Sequence, residues 1–211
     1  MGGQRALLSG DVLDVAPRML GALLTSAGVT VRLTEVEAYA GSIDPGSHAY
    51  RGRTVRNQVM FGEAGHAYVY FSYGMHWCVN VVTGPVGEAA AVLLRAGEVV
   101  DGLDVARSRR PGSTGRDLCR GPARLCRTLG ITGALGGIDL LEPLAPLRLT
   151  LPSAYDATRL RTGPRVGVAG EGGSAPWRFW LDGEPTVSPY RVAVRRRDKE
   201  SLSHPAAPRS S

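Results

Sequence analysis

Hydrophobic and polar positions alternate most densely over residues 67–82, which include Ala-Tyr-Val-Tyr-Phe-Ser-Tyr73-Gly-Met-His-Trp-Cys-Val-Asn80. Aromatic and β-branched residues flanking a Tyr73-Gly74 step predict two short strands joined by a tight hairpin turn. Tyr68 and Tyr70 then share one face of the first strand, opposite Val69 and Phe71. A second alternating run predicts a strand over 30–39, with Val29, Val31, Leu33 and the pair Glu35/Glu37 on one parity. Residues 89–95 read as a further buried strand, and 147–151, 166–168 and 177–181 as short ones. Asp11 is placed to cap a helix running from Val12 to about Leu24, although Pro17 fits poorly inside it. Residues 102–107 open a second helix. Residues 121–130 form a third, with Pro122 near its first position and Gly130 past its end. The stretch 40–58, rich in Gly, Asp, Pro and Arg, is a loop, as is 107–116. Irregularly spaced strands mixed with a few helices predict an α+β fold in one mixed domain over residues 1–197. A polar, proline-containing tail over 198–211 is expected to be disordered.

Length and composition fit this reading. A chain of 211 residues with 43% hydrophobic positions can bury a sizeable core. Its formal net charge of +6 favours a polyanionic partner. Of the 25 lysines and arginines only Lys199 is a lysine. Cys78, Cys119 and Cys126 supply neither a disulfide framework nor zinc-ligand spacing, so a reduced, cytoplasmic protein without metal or cofactor is expected. No signal peptide and no membrane span are expected either.

The hairpin tip is the most informative position. Turn glycines normally follow Asn, Asp or Ser, which tolerate the backbone geometry and favour water. Here the partner is Tyr73, an aromatic badly placed for a core and well placed for insertion between stacked bases. Met75, just past the tip, is suited to wedge the opposite strand. Upstream, Glu37 is the candidate general base. On a strand Glu35 points to the same face, and like charges in a confined site raise one carboxyl pKa. Tyr39 and His48 would wall such a carboxylate with flat groups, as binding and attacking a base requires. The loop arginines Arg51, Arg53 and Arg56, and those at 107, 109, 110 and 116, are candidates for phosphate contacts. No P-loop, no Gly-x-Ser-x-Gly and no His-Glu-x-x-His is present.

Several motifs in order carry a resemblance. Glu-Val-Glu37-Ala-Tyr39, His48, Arg-Asn57 before Met60-Phe61, Tyr-Val-Tyr70-x-x-Tyr73-Gly-Met and Cys-Val-Asn80 resemble the alkyladenine (3-methylpurine) DNA glycosylase family. The match continues through Ala91-Val-Leu-Leu-Arg95, Leu118-Cys-x-Gly-Pro-x-x-Leu-Cys126 and Arg165-Val-Gly-Val168, spanning roughly residues 9–190. The resemblance implies a curved antiparallel sheet with a hairpin projecting into the minor groove. It also implies a monofunctional enzyme acting on alkylated or deaminated purines in double-stranded DNA. The family's general base falls on Glu37 and an active-site arginine on Arg95. Base-stacking residues fall on Tyr39, His48 and Tyr70, a discriminating pocket asparagine on Asn80, and the intercalating residue on Tyr73. His76-Trp77 depart from the family form, where smaller-headed aromatics follow the Gly-Met pair.

Composition bears on the chemistry independently. Glycosylases that also nick DNA form a Schiff base through an amine. The only lysine here lies in the tail, which points to water as the nucleophile. Two rivals predict different behaviour: a non-catalytic nucleic-acid-binding module needs no Glu37 beside Tyr39, and a free-nucleoside hydrolase needs no wedge. A monomer is expected, because a hairpin that must enter a groove cannot also be an assembly edge.

Overall fold

The computed structural model describes residues 2–154 and 156–192, so the expected tail lies outside the described residues. Among these residues eight strands form one sheet: β1 (Leu23–Ser26), β2 (Val29–Tyr39), β3 (Ala67–Ser72), β4 (His76–Val82), β5 (Ala91–Asp101), β6 (Leu147–Thr150), β7 (Leu160–Gly163) and β8 (Arg178–Leu181). The order is β3-β4-β5-β2-β1-β6, with β8 added to β2 and β7 to β8. Every named pairing is antiparallel. Among the described residues four short α-helices accompany the sheet in this α+β fold: α1 (Gly2–Leu8), α2 (Val12–Arg18), α3 (Leu103–Arg109) and α4 (Pro122–Leu129).

The first expected helix is shorter than its apolar pattern. Asp11 does cap it, accepting from the Leu13 N–H at 2.8 Å. It stops at Arg18, however, and Gly21, at φ 85°, turns the chain into β1. Leu23 and Leu24 therefore belong to a strand. Leucines spaced for a helix were recruited by pairing with Arg32 and Val31 of β2, a tertiary gain that outweighs local propensity. Helix α4 follows its signals: Pro122 opens it and Gly130, at φ 67°, ends it. Residues 166–168 form no strand, and 166 and 167 lie in a turn.

Strand β2 does not keep one parity. Leu33 pairs with Gly97 and Glu35 with Ala96, so Thr34 is an extra residue, and a further irregularity follows between Glu35 and Val36. A bulge reverses which alternate positions face each side. The main core consequently takes Val29, Val31 and Leu33 before the bulge and Val36 and Ala38 after it. Glu35 and Glu37 are thereby turned to the face opposite the helices. On that face a row of directly paired residues crosses five strands: Tyr68, Asn80, Leu93, Glu37 and Arg178. A smaller apolar cluster, Ala49, Met60, Tyr68, Val82 and Ala91, seals the 40–61 segment onto the same side.

Candidate active site

Glu37 is fully buried, with 0% of its surface exposed. The Val166 N–H donates to Oε1 at 2.7 Å, and Arg95 Nη1 lies 3.3 Å from the same oxygen. The Tyr39 hydroxyl donates to Oε2 at 2.9 Å. A carboxylate offers about four lone-pair sites, so these three partners leave one free. Tyr39, Arg95 and Val166 all line a cavity of about 710 Å³, which also reaches Tyr70, Tyr73 and Asn80. Burial raises the Glu37 pKa above the ordinary glutamate value, while Arg95, the Val166 amide and the Tyr39 hydroxyl oppose the rise. The nearby Glu35 charge acts in the expected direction but is the smallest cause. The shift therefore comes chiefly from desolvation and not from like-charge repulsion.

Glu35 serves a different purpose. Its Oε1 accepts from Arg95 Nε at 3.0 Å, Arg178 Nε at 2.7 Å and Ser188 Oγ at 2.9 Å, and its Oε2 accepts from the Ser188 N–H at 2.7 Å. It is saturated, and unsuited to proton transfer. The two guanidinium groups of Arg95 and Arg178 balance the two carboxylates, which keeps a four-charge cluster neutral in a buried site.

The other expected residues gather around this centre. Burial pushes the Tyr39 pKa well above the usual tyrosine value, helped by the Glu37 charge, so its hydroxyl is held as a donor. His48 Nδ1 lies 3.1 Å from the Tyr68 hydroxyl, and its ring meets Tyr70 edge-on with centroids 4.6 Å apart. Burial and the Arg56 charge lower the His48 pKa, which favours a neutral imidazole. Asn80 donates its amide to the Tyr68 carbonyl at 2.9 Å and lines the cavity.

At the rim, β3 and β4 close through Tyr73, Gly74 and Met75, with Ser72 opposite His76. The Met75 N–H donates to the Ser72 carbonyl at 3.0 Å. Tyr73 and Gly74 adopt φ of 50° and 66°, the paired left-handed conformation of a type I′ turn. Tyr73 is 86% exposed and Met75 65% exposed. A bulky side chain in this conformation on a solvent-facing tip is strained at a place where no packing rewards it.

The loop arginines divide. Arg56 lines the cavity and sits 5.4 Å above the Tyr70 ring. Arg53 packs over Phe61 at 5.7 Å, and Arg51 is exposed outside the cavity wall. Arg109 departs from the expected phosphate role: it donates to the Thr128 and Ala27 carbonyls at 2.8 and 2.6 Å. Arg110 likewise donates to the Leu118 carbonyl at 3.1 Å and Ser113 Oγ at 3.0 Å.

Sequence reasoning missed the pair that builds the far wall. Arg165 and Asp44, both fully buried, meet through two bonds of 2.6 and 2.7 Å. Arg165 also donates to the carbonyls of Ala38 and Gly172, each at 2.9 Å. Its guanidinium lies 4.5 Å from the Tyr39 ring centroid and 5.0 Å from that of Trp177. One arginine thus ties β2 to two loops, presses on Tyr39 and places the following Val166 amide against Glu37. Only the Arg165-Val-Gly-Val run hinted at it, and Asp44 carried no local signal.

A buried carboxylate thus sits behind Tyr39, Arg95 and Val166, which line a cavity that reaches the strained aromatic tip on a basic chain. The model of the methylpurine-DNA glycosylase family matches residues 6–185. A Streptomyces avermitilis protein named "Putative 3-methyladenine DNA glycosylase" is 52% identical, over 92% of this chain and 93% of its own. Relatives of the same name from Leifsonia xyli subsp. xyli and Nocardia farcinica are 54% and 57% identical. They cover 90% and 88% of this chain and 92% and 90% of their own. The chain belongs to the methylpurine-DNA glycosylase family.

Proposed function

We propose that this protein is a monofunctional DNA glycosylase that starts base excision repair at alkylated or deaminated purines in duplex DNA. Its substrates on this reading are 3-methyladenine, 7-methylguanine, hypoxanthine and ethenoadenine. The observation that carries the reading is the buried Glu37 carboxylate, held by Arg95, Tyr39 and the Val166 amide, all three of which line the cavity that Tyr73 also borders.

Tyr73 enters the base stack and occupies the gap left by the extruded nucleotide. Base–aromatic stacking contributes about 1–3 kcal/mol, comparable with the few kcal/mol that unstacking costs. Met75 wedges the opposite strand. The flipped base stands among Tyr39, His48 and Tyr70, with Asn80 at its edge, and Arg56 steers the backbone at the rim. Glu37 takes a proton from water, whose oxygen bonds to C1′ as the N-glycosidic bond breaks. The base leaves with the bonding pair and an abasic site remains. A lesion already cationic, such as 3-methyladenine, leaves as a neutral base, whereas hypoxanthine requires protonation. Arg95 holds the carboxylate in position and stabilises its charge.

The test is a defined duplex carrying one hypoxanthine. Strand breaks that appear only after alkali support hydrolysis without lyase action. Breaks without alkali overturn the monofunctional assignment. No release of hypoxanthine, and none of 3-methyladenine from methylated DNA, overturns the enzyme reading itself.

A further inference from the structure

The hairpin has a cleft on each flank. On one side Tyr70, Phe71, Ser72, Tyr73 and Gly74 border the cavity that holds the candidate active site. On the other, Met75, His76 and Trp77 border a separate cleft of about 500 Å³ whose far wall is α4, with Arg124 and Arg127, together with Arg110. A wedge standing in a duplex separates two strands, so two clefts on its two sides face two different strands.

The second cleft suits an anion. Arg124 and Arg127 are one turn apart on α4 and share a face. Both are exposed, and Arg127 has no hydrogen-bonding or ionic partner among the described residues. Asp117 approaches Arg124 at 3.5 Å, but it also faces Arg116 and Arg120 at 3.7 and 3.6 Å, so it does not neutralise the group. Burial, with the charges of Arg124 and Arg127, lowers the Arg110 pKa, a sign of cations crowded without enough counter-charge. Trp77 forms an apolar wall, its ring tilted 49° to that of Phe71 with centroids 4.7 Å apart, and it packs against Gly133, where a Cβ would lie 2.7 Å from the indole.

We propose that the cleft between β4 and α4 binds backbone phosphates of the strand opposite the lesion, through Arg124 and Arg127. This rests on the glycosylase reading for the presence of a lesion, but its test does not depend on excision. Lesion-strand phosphates share the same chemistry, and the two sources separate by strand number.

The experiment measures the salt dependence of binding to a duplex bearing a tetrahydrofuran abasic-site analogue, and to the same lesion strand alone. The proteins are wild type, R124Q/R127Q and the control R148Q, whose exposed arginine lies on β6 at the far edge of the sheet. Each lost phosphate contact lowers the log–log salt slope on a duplex by about 0.9. The expected result for R124Q/R127Q is a slope lower by about 1.8 on the duplex and unchanged on the single strand. An equal fall on both substrates assigns the phosphates to the lesion strand and overturns the proposal. No fall beyond that of R148Q overturns it as well. If wild type excises hypoxanthine while either overturning result is obtained, the glycosylase reading stands and only this inference fails.

Discussion

Arg95 bridges two carboxylates that lie two positions apart on one strand: its Nε is 3.0 Å from Glu35 and its Nη1 is 3.3 Å from Glu37. Glu35 is saturated by four donors, whereas Glu37 keeps an acceptor site. The same residue type at neighbouring same-face positions is thus divided into a structural anchor and a candidate base. Removing the Glu35 charge leaves two buried guanidinium groups short of one counter-ion. Glu35→Gln should therefore lose about 3–5 kcal/mol of stability, the usual cost of breaking a buried pair from one side. Urea unfolding at neutral pH measures this, and a loss below about 1 kcal/mol would contradict the anchor role.

The raised Glu37 pKa fixes the sign of the pH dependence. Below its pKa the carboxyl is protonated and cannot accept a proton from water, so excision falls as pH drops. Because burial moves that pKa upward, the acid limb should lie above the ordinary glutamate value of about 4.3. Arg95 is the strongest opposing influence, so Arg95→Met should shift the limb to still higher pH in single-turnover profiles. A shift to lower pH would mean that Arg95 does not stabilise the charged form.

The hairpin tip is strained at Tyr73. Tyr73 holds φ at 50°, and the left-handed region costs an ordinary residue about 1–2 kcal/mol. Asn tolerates that conformation. Tyr73→Asn should raise the melting temperature by about 2–4 °C for each kcal/mol recovered, while lowering excision from duplex DNA at least about tenfold. A variant equally active and more stable would remove the wedge assignment.

The Arg165–Asp44 pair carries the far wall, so Asp44→Asn should cost about 3–5 kcal/mol and release the Tyr39 ring. Gly46 is packed against the same guanidinium: a Cβ there would come within 2.7 Å of Arg165 Nη2 and 2.8 Å of Val168. Gly46→Ala should reduce excision without changing any titratable group. Unaltered activity in Gly46→Ala would show that the wall tolerates displacement.

How much was legible in the sequence depended on whether a signal was local. The hairpin, its exposed tip and α4 were readable because turn glycines, alternation and an N-terminal proline act over a few residues. Glu37, Tyr39 and Arg95 were readable as a pattern of motifs. The β2 bulge at Thr34 was not readable, because it is fixed by register against β5, yet it decides which face receives the glutamates. The same holds for the Asp44–Arg165 pair, 121 residues apart, and for the Val166 amide, whose position follows from Arg165 and not from its own side chain. Leu23 and Leu24 misled because periodicity cannot reveal that a neighbouring strand is waiting to pair.

The most direct test of the central claim compares wild type with Glu37→Gln on a hypoxanthine duplex under single-turnover conditions, with affinity for an abasic-analogue duplex measured alongside. A general base contributes about 10²–10⁴-fold. The account predicts excision reduced at least about a hundredfold with affinity retained. Glu37→Gln excising hypoxanthine at the wild-type rate would contradict it.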